Sequence, residues 1–424
     1  MTWSLRLRLW AMMFLQYAIW GAWAPVLYPY LTAGLGFSDM QASWIFAALW
    51  LACILSPVTG GQIADRWVPT QWFLGMVHLA GGVLLLLLAR QHGFPLMMLF
   101  MALYSVLYAP TLALTNSLAF HQLKGASERE FAWIRVWGTI GWIIAGWVLT
   151  LWRNTALHGL GQVTQEFPAT RMYDCLLLAG IASLIMGAFC FLLPHTPPQR
   201  EGTDPWAFRR AFGLLKDRNF LIFMAIAFVV TTELQFYYLP TPEFLEKGMG
   251  IGASRVPATM TVAQIAEIIA MAGLLPLLLP KIGIRWALAI GVIAWPLRYM
   301  VFAFGHILGV GPVVASLALH GLGYTFFFVV SQIYVDKVAP KDIRASAQSL
   351  LSFATLGIGN FLGTQFTGVI MGHFRDAATN AVNWTGVFLV PCALTVLCAL
   401  AFLLFFREST EEIRFEAATE TTPA

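Results

Sequence analysis

The sequence predicts an all-α polytopic membrane protein with twelve transmembrane helices in two six-helix halves. The first observation is composition: 59% of the 424 residues are hydrophobic and 11% are charged, whereas soluble domains carry about 25% charged residues. The second is a series of apolar segments of about 20 residues, the length of a membrane-spanning helix. The third is a proline-rich, basic stretch at 194–219, which separates six segments from six.

The twelve apolar segments are separated by short loops that carry glycine, proline and charge. Their centres lie near Ile19, Leu51, Gly82, Val106, Ile143, Leu184, Ala227, Ile268, Ile293, Phe326, Ile358 and Leu397. Two sets of six are typical of transporters built from two related halves. We therefore expect an N-terminal half at 1–193, a cytoplasmic central loop at 194–219, a C-terminal half at 220–407 and a cytoplasmic tail at 408–424.

The distribution of lysine and arginine predicts the orientation. If the N-terminus is cytoplasmic, 17 of these residues fall inside and six fall outside, which satisfies the positive-inside rule. We expect both termini to be cytoplasmic, in the inner membrane of a bacterium. The net charge of +4 is spread over short loops, so no nucleic-acid partner is expected. Arg135 and Arg298 remain as candidates for the membrane interior.

Other sequence features exclude several classes of protein. The five cysteines have no metal-ligand spacing and indicate no disulfide framework. The basic residues 1–9 lead into an apolar run without a small-residue cleavage site, so this run is interpreted as the first helix. No phosphate-binding glycine loop, nucleotide-hydrolysis motif or Ser/His/Asp order is recognisable. We expect a monomer that has no metal, needs no cofactor and is not an enzyme.

The fifth segment carries a charge where the chain enters an apolar span. Thr139 and Trp142 follow Arg135 at i+4 and i+7, so the three side chains share one helix face. An arginine at membrane depth costs roughly 2.5–3.5 kcal/mol or more, and usually faces a cavity or a partner. A cation, a hydroxyl and an indole could bind a polar solute with a ring. The alternative is that Arg135 extends to the nearby membrane surface.

The eighth segment contains an acid, Glu267, with Gln264 three residues earlier on the same face. A bilayer favours the neutral, protonated form of an isolated carboxyl. Glu267 could therefore carry a proton, and it could also accept hydrogen bonds from hydroxyl groups. The structural alternative is an ion pair with Arg298 in the next segment.

The seventh and tenth segments carry the remaining candidates. Gln235 and Tyr238 share one face of the seventh, whereas Glu233 points roughly 160° away from Gln235 on a helix of about 3.6 residues per turn. Glu233 is as compatible with an ion pair as with a proton role. In the tenth segment, His320 and Tyr324 are four residues apart, and a histidine can titrate near physiological pH. A buried histidine that only packs is the alternative.

The loop after the second segment reads GGQIADRW and contains Gly61, Asp65 and Arg66. Small residues let two helices approach, and Asp65 can pair with a cation or a helix N-terminus. The stretch resembles the G-x-x-x-D-R core of the loop motif of the major facilitator superfamily, which implies a gating loop. The basic residues that usually follow are replaced by residues 67–70, and a simple turn cap is the alternative.

The chain resembles the nucleoside:proton symporter family of that superfamily nearly from end to end. The stretches that carry the resemblance are LQYAIWGAW, IRVWGTIGWI, ELQ, QIAE, AWPLRYMVFA and IRASAQSL. The resemblance implies a central cavity that holds a nucleoside between the halves. Its implied contacts are Arg135, Thr139, Trp142, Gln235, Gln264, Glu267 and Tyr324. The amides would contact base edges, Glu267 would accept ribose hydroxyls, and the aromatic rings would stack on the base.

Three positions depart from the pattern of nucleoside permeases. Tyr238 stands in place of an asparagine, and His320 in place of a tyrosine, so the two would line an altered pocket. Thr325 replaces a membrane-embedded aspartate of the family pattern, a carboxylate that could carry the coupled proton. The remaining candidates for that role are Glu267, His320 and Glu233.

These observations predict a secondary active symporter that imports a nucleoside with protons across the bilayer by alternating access. One alternative is a transporter of the same fold for another neutral polar solute, such as a sugar or oligosaccharide, because positions 238, 320 and 325 are altered. A non-transporting membrane sensor or an integral membrane enzyme is a third. No large soluble domain supports a sensor, and no catalytic constellation supports an enzyme.

Overall fold

In the computed structural model, the described residues form helices joined by short turns and loops, with one isolated bridge between Arg375 and Val382. The structure describes residues 2–56, 67–123, 128–159, 167–197, 207–340 and 343–407, without the side chains of 128–132, 158–159, 207–208 and 345. The predicted gating loop with Gly61, Asp65 and Arg66 lies outside the described residues, as does the tail 408–424.

The described residues before position 194 form six long helices. They are α1 (Trp3–Trp23), α2 (Asp39–Leu55), α3 (Thr70–Leu88), α4 (Phe94–Leu123), α5 (Glu128–Gly159) and α6 (Asp174–Cys190). Ser38 begins α2 with a capping box, because its side chain accepts from the Gln41 amide while the Gln41 side chain accepts from the Ser38 amide. α2 therefore starts at a fixed residue, and Asp39 lies in its first turn.

The later part of the chain is helical in the same way, with more irregular turns. Its helices are α7 (Arg218–Tyr238), α8 and α9 (within Val256–Ala303), α10 (Val310–Val338), α11 (344–374) and α12 (Trp384–Phe405). Gly283 separates α8 from α9, since its φ of 73° lies in the left-handed region that glycine tolerates. π-helical turns occur at Tyr324–Val329 in α10 and at Phe353–Gly359 in α11.

Most of the helices have the length and composition of membrane spans. Among the described residues, eight helical segments are long and apolar enough to cross a bilayer, and α2 is a shorter apolar helix. Large apolar side chains remain exposed on the bundle, including Leu397 at 62% and Leu404 at 69%, as expected for surfaces that face lipid. The bundle is thus a polytopic membrane fold, and the number of twelve crossings stays a prediction.

Glycines bring α1 against α5 and fix the direction in which α5 presents its polar face. A Cβ atom at Gly21 would lie 2.7 Å from the Cα atom of Trp142, and one at Gly141 would collide with the carbonyl oxygen of Phe14. Real Cβ atoms do not approach so closely, so these contacts require glycine. A glycine also allows close approach of α10 to α8, where a Cβ atom at Gly321 would collide with the backbone of Ala266.

The two parts of the chain contact each other through α2 with α11 and through α5 with α8. Gly368 of α11 packs against the Ser43 side chain of α2. In the second contact, the amide of Ala258 donates to the Thr150 hydroxyl at 3.0 Å. The residues of α5 and α8 that carry the predicted site are therefore brought to the same interface.

Candidate functional site

Opposite charges from α5 and α8 lie within electrostatic range of each other at partly exposed positions in the bundle, which we refer to below as the opening. The guanidinium of Arg135 lies over the Tyr17 ring, 3.9 Å from its centroid, and within electrostatic range of the Glu267 carboxylate and the Tyr324 hydroxyl. Arg135, Glu267 and Tyr324 are all half-buried. Both predicted halves thus contribute to one accessible polar surface. These contacts give no support to the alternative in which Arg135 extends to the membrane surface.

Aromatic side chains continue this surface along α5. The Trp142 ring lies edge-on to Trp20, with centroids 5.3 Å apart, and 6.3 Å from the ring of Tyr238. Thr139 is half-buried on the same face of α5. The predicted stripe therefore faces α1 and α7, and it offers ring faces and edges beside a hydroxyl.

Two buried amides each present an oxygen without a hydrogen-bond partner among the described residues. Gln235 of α7 donates from Nε2 to Oδ1 of Asn360 at 2.7 Å, and its Oε1 has no partner. Oε1 of Gln264 in α8 is likewise buried and has no hydrogen-bond partner among the described residues. An unsatisfied buried acceptor costs about 1–3 kcal/mol, so such atoms often mark a place that a water or ligand completes.

A small pocket lies between α1, α2 and α7. Its lining consists of Trp20, Trp23, Ala24, Phe46, Leu49, Trp50, Gln235 and Tyr238. The pocket is mostly aromatic, and both predicted halves contribute to it. Gln235 and Tyr238, two of the predicted contacts, are therefore placed together.

Two other predicted residues lie behind this surface. His320 is only 1% exposed and stacks between Tyr237, at a centroid distance of 4.4 Å, and Tyr324, at 5.9 Å. Glu233 is fully buried. The structure does not bring either side chain to the opening, so an effect of His320 on a solute is indirect, through the rings of Tyr237 and Tyr324 on which it stacks. Tyr237, whose ring contacts both the buried His320 and the partly exposed Tyr238, was not among the residues predicted from the sequence.

Sequence reasoning missed a charge cluster at the end of the bundle that is predicted to face outward. Arg375 donates to both carboxylate oxygens of Asp39 at 2.7 and 2.8 Å, and to both of Glu243 at 3.0 and 2.9 Å. Tyr28 also donates to Asp39, and Lys247 to Glu243. We call Arg375, Asp39 and Glu243 the outer latch, because Asp39 belongs to the predicted N-terminal half and the other two to the C-terminal half.

The outer latch strongly stabilises the charged form of Arg375. The two carboxylates and their hydrogen bonds raise the pKa of Arg375 far above its ordinary value, although burial alone would lower it. Each member of the cluster is a charged residue near the end of an apolar segment, and this feature of the sequence could have indicated that the three residues matter. It does not indicate which charges pair, since Arg375 is 336 positions from Asp39 and 132 from Glu243.

Comparison with known proteins decides the family. Residues 1–411 match the family model described as "Nucleoside H+ symporter". This chain belongs to the nucleoside H+ symporter family. It is 34% identical over 412 residues to the protein YegT of Escherichia coli K12, with 95% of this chain and 94% of YegT covered. It is 28% identical over 436 residues to the nucleoside permease NupG of the same organism, with 99% of each covered.

The fold of this nucleoside H+ symporter is that of a solved relative. The crystal structure of the nucleoside transporter NupG matches with a TM-score of 0.81 and 27% identity, covering 96% of this chain and all of that chain. The predicted resemblance and the predicted fold class, all-α with major facilitator architecture, are confirmed. The family is one of transporters, so the prediction of a transporter instead of an enzyme is confirmed as well.

Proposed function

We propose that this protein imports nucleosides with protons across the cytoplasmic membrane of a bacterium, with both termini inside the cell. The observation that carries the proposal is the polar, half-buried surface where α5, α8 and α10 meet. Its charges cancel, since Arg135 faces Glu267, which suits an uncharged solute. NupG is named a nucleoside permease, and the match along nearly the whole chain supports the same substrate class here.

The proposed contacts follow from the chemistry of each side chain. The unpartnered oxygens of Gln235 and Gln264 accept hydrogen bonds from N–H groups on a base edge. The rings of Trp142, Tyr238 and Tyr324 offer faces for the base to stack on, at about 0.5–1.5 kcal/mol per aromatic pair beyond area burial.

The sugar end of the nucleoside is assigned to the charged pair. Glu267 accepts hydrogen bonds from the ribose hydroxyls, and Arg135 donates to the solute while balancing the charge of Glu267. Thr139, half-buried on the same face as Arg135, adds a hydroxyl beside them. Hydrogen bonds to charged groups contribute about 1.5–3 kcal/mol each, so this pair supplies a large part of the proposed affinity.

Transport proceeds in this proposal by rocking of the halves 1–193 and 220–407 about the central site. In this proposal, the ion pairs of the outer latch link the two predicted halves and close the side that is predicted to face outward. Opening that side requires that Arg375 leave one or both carboxylates. A predicted loop at 61–66 would act at the opposite side.

The test is uptake of labelled uridine and adenosine by cells or proteoliposomes, with and without a protonophore. We expect saturable accumulation that the protonophore abolishes. Uptake that is unchanged by the protonophore would refute proton coupling. Competition by sugars or oligosaccharides, with none by nucleosides, would refute the substrate class and favour another neutral polar solute.

A further inference from the structure

A second charged cluster lies behind the proposed nucleoside site, wholly inside the C-terminal part of the bundle. Its centre is Arg298 of α9, which is fully buried. Arg298 donates from Nη1 to Nδ1 of His320 at 3.1 Å and from Nη2 to the hydroxyl of Tyr299 at 2.8 Å. Its Nε has no hydrogen-bond partner among the described residues. At least one N–H donor of this buried cation is therefore without an acceptor among the described residues.

Aromatic rings compensate the charge of Arg298. The guanidinium carbon lies 4.7 Å from the ring centroids of Trp295 and Tyr299, and 5.0 Å from that of Tyr237. Each such contact contributes about 0.5–2 kcal/mol, most when water is excluded. The cation can therefore remain charged in this position without a bonded carboxylate.

The carboxyl of Glu233 is the acidic member of the cluster. It is fully buried, and neither carboxyl oxygen has a hydrogen-bond partner among the described residues. The groups that face it are the Arg298 charge, the Tyr299 hydroxyl and the thiols of Cys392 and Cys398 in α12. The Tyr299 hydroxyl donates instead to the backbone carbonyl of Glu233, at 2.9 Å.

This geometry favours a protonated Glu233 in the conformation described. A buried carboxylate that accepts no hydrogen bond loses several kcal/mol of hydration, and an ion pair offsets that loss only when its geometry is good. The hydrogen bonds that Arg298 donates go to His320 and Tyr299, and none goes to the Glu233 carboxyl. A neutral carboxyl is the form that this arrangement tolerates.

We propose that Glu233 binds and releases the transported proton, and that Arg298 exchanges partners as it does so. On release, the O–H bond of Glu233 breaks and the proton passes to water, which leaves a carboxylate. The hydrogen bond from Arg298 to His320 then breaks, and one from Arg298 to Glu233 forms. On proton binding, the exchange runs in reverse. The inference rests on the proposed function and assigns its coupling group.

His320 connects this exchange to the nucleoside site. Its ring is stacked on Tyr324, with an interplanar angle of 23°, and Tyr324 borders the opening beside Arg135. A π-helical turn begins at Tyr324, and such turns often mark functional sites in helices. A released His320 can therefore move the ring that stacks on the base. The acid that Thr325 replaces is not needed in this scheme.

Glu267 has a different environment. It is half-buried at the opening and faces Arg135, so its charge is balanced and accessible to the solute. We assign it to nucleoside binding. The two acids are therefore distinguishable by experiment, because only the loss of Glu267 removes a contact with the substrate.

The experiment compares Glu233→Gln with Glu267→Gln in proteoliposomes loaded with uridine. Two quantities are measured: exchange of labelled uridine without a gradient, and accumulation driven by an imposed proton gradient. We expect Glu233→Gln to exchange within about threefold of the unaltered protein, a change of less than about 1 kcal/mol, and to accumulate nothing. Glu267→Gln should lose both. Asp336→Asn, at an exposed position of α10 where the carboxylate has a surface ion pair with Arg344 at 3.9 Å, is the matched acid-to-amide control. It should retain both, because exposed ion pairs contribute little.

Several outcomes would overturn the assignment. Full accumulation by Glu233→Gln excludes it as the coupling group, and loss of exchange in a folded Glu233→Gln places it in binding or structure. If Glu233→Gln does not fold, Glu233→Asp keeps a titratable carboxyl and should shift the pH at half-maximal accumulation, whereas an unchanged pH profile refutes the role. If the unaltered protein transports no nucleoside, the proposed function fails instead.

Discussion

At the scale of single residues, the proposed nucleoside site depends on one cation placed against one anion in an apolar bundle. Arg135 faces Glu267 from the other predicted half, so neither charge is left alone at membrane depth. The pair is half-buried, so a solute can replace the water around it. A neutral substrate can then gain charge-assisted hydrogen bonds without bringing a charge into the membrane.

Arg135→Ala tests this residue directly. The change removes a charged donor and leaves Glu267 without a counter-charge, so we expect nucleoside affinity to fall by about 10–100-fold, corresponding to the 1.5–3 kcal/mol of a hydrogen bond to a charged group. The measurement is binding of uridine to purified protein by calorimetry. Arg90→Ala, at an exposed position, is the matched control and should leave affinity unchanged. Equal affinity in both variants would remove Arg135 from the site.

The sequence predicted the residues that lie on one helix face and missed those that pair across the chain. Helical spacing predicts that Arg135, Thr139 and Trp142 share one face of α5, and the family resemblance adds that this face contacts the solute. The outer latch was missed because Arg375 reads as an ordinary loop cation until folding brings it to Asp39. Helical periodicity reports on residues a few positions apart, whereas that pair is 336 positions apart.

At the scale of helices, the contact of α1 with α5 decides where the polar stripe of α5 points. Gly21 accommodates Trp142, and Gly138 accommodates Tyr17 and the side chain of Arg135. Small residues allow such close approach of membrane helices, where van der Waals packing replaces the hydrophobic effect as the source of association. The same glycines that hold α1 to α5 therefore also hold Arg135 over the Tyr17 ring.

Gly141→Ala should separate α1 from α5. Its methyl group would collide with the carbonyl oxygen of Phe14, which is backbone and cannot rotate away, so we expect a loss of about 1–3 kcal/mol and a lower Tm in a thermal-shift assay. Gly311→Ala makes the same change in α10, where nothing lies within 4 Å of the added atom, and should be neutral or slightly stabilising. If both variants have the same Tm as the unaltered protein, the close approach is not needed for stability.

Hydropathy located the helices but not their internal irregularities. It placed separate segments near Ile268 and Ile293, and it did not predict that a single sharp bend at Gly283, with a positive φ, is what separates them. The π-helical turn that begins at Tyr324 was also not predicted. Both features depend on backbone conformation at a few residues, and apolar content averaged over about 20 positions carries no information about them.

At the scale of the whole molecule, the outer latch connects the two predicted halves at one end. Arg375 is only 12% exposed on its side chain, and both carboxylates are more buried still. The raised pKa of Arg375 means that its contribution is fully present below the ordinary arginine pKa, and is lost only as the pH rises above the physiological range. The latch is therefore expected to stay closed through mild alkaline treatment and to open by conformational change.

Arg375→Ala should shift the population toward a state that is open to the outside. Removing one partner of a buried ion pair costs about 3–5 kcal/mol, and here it also leaves two carboxylates facing each other across the halves. The reporter is Leu49→Cys, because Leu49 lines the pocket beneath the latch and is 1% exposed. A membrane-impermeant maleimide added outside intact cells should label this cysteine at least about tenfold faster when Arg375 is absent, since about 1.4 kcal/mol corresponds to a tenfold change in population.

The control for this experiment is Arg255→Ala, which removes an exposed arginine from a loop predicted to lie on the same side. It should leave the labelling rate of Leu49→Cys unchanged, and labelling of the chain without that cysteine is subtracted in each case. Added uridine should slow the labelling in Arg375→Ala if solute and reagent reach the same pocket. Equal rates with and without Arg375 would show that the latch does not hold the outward side closed, and closure would then rest on the packing of α2 with α11 and of α5 with α8.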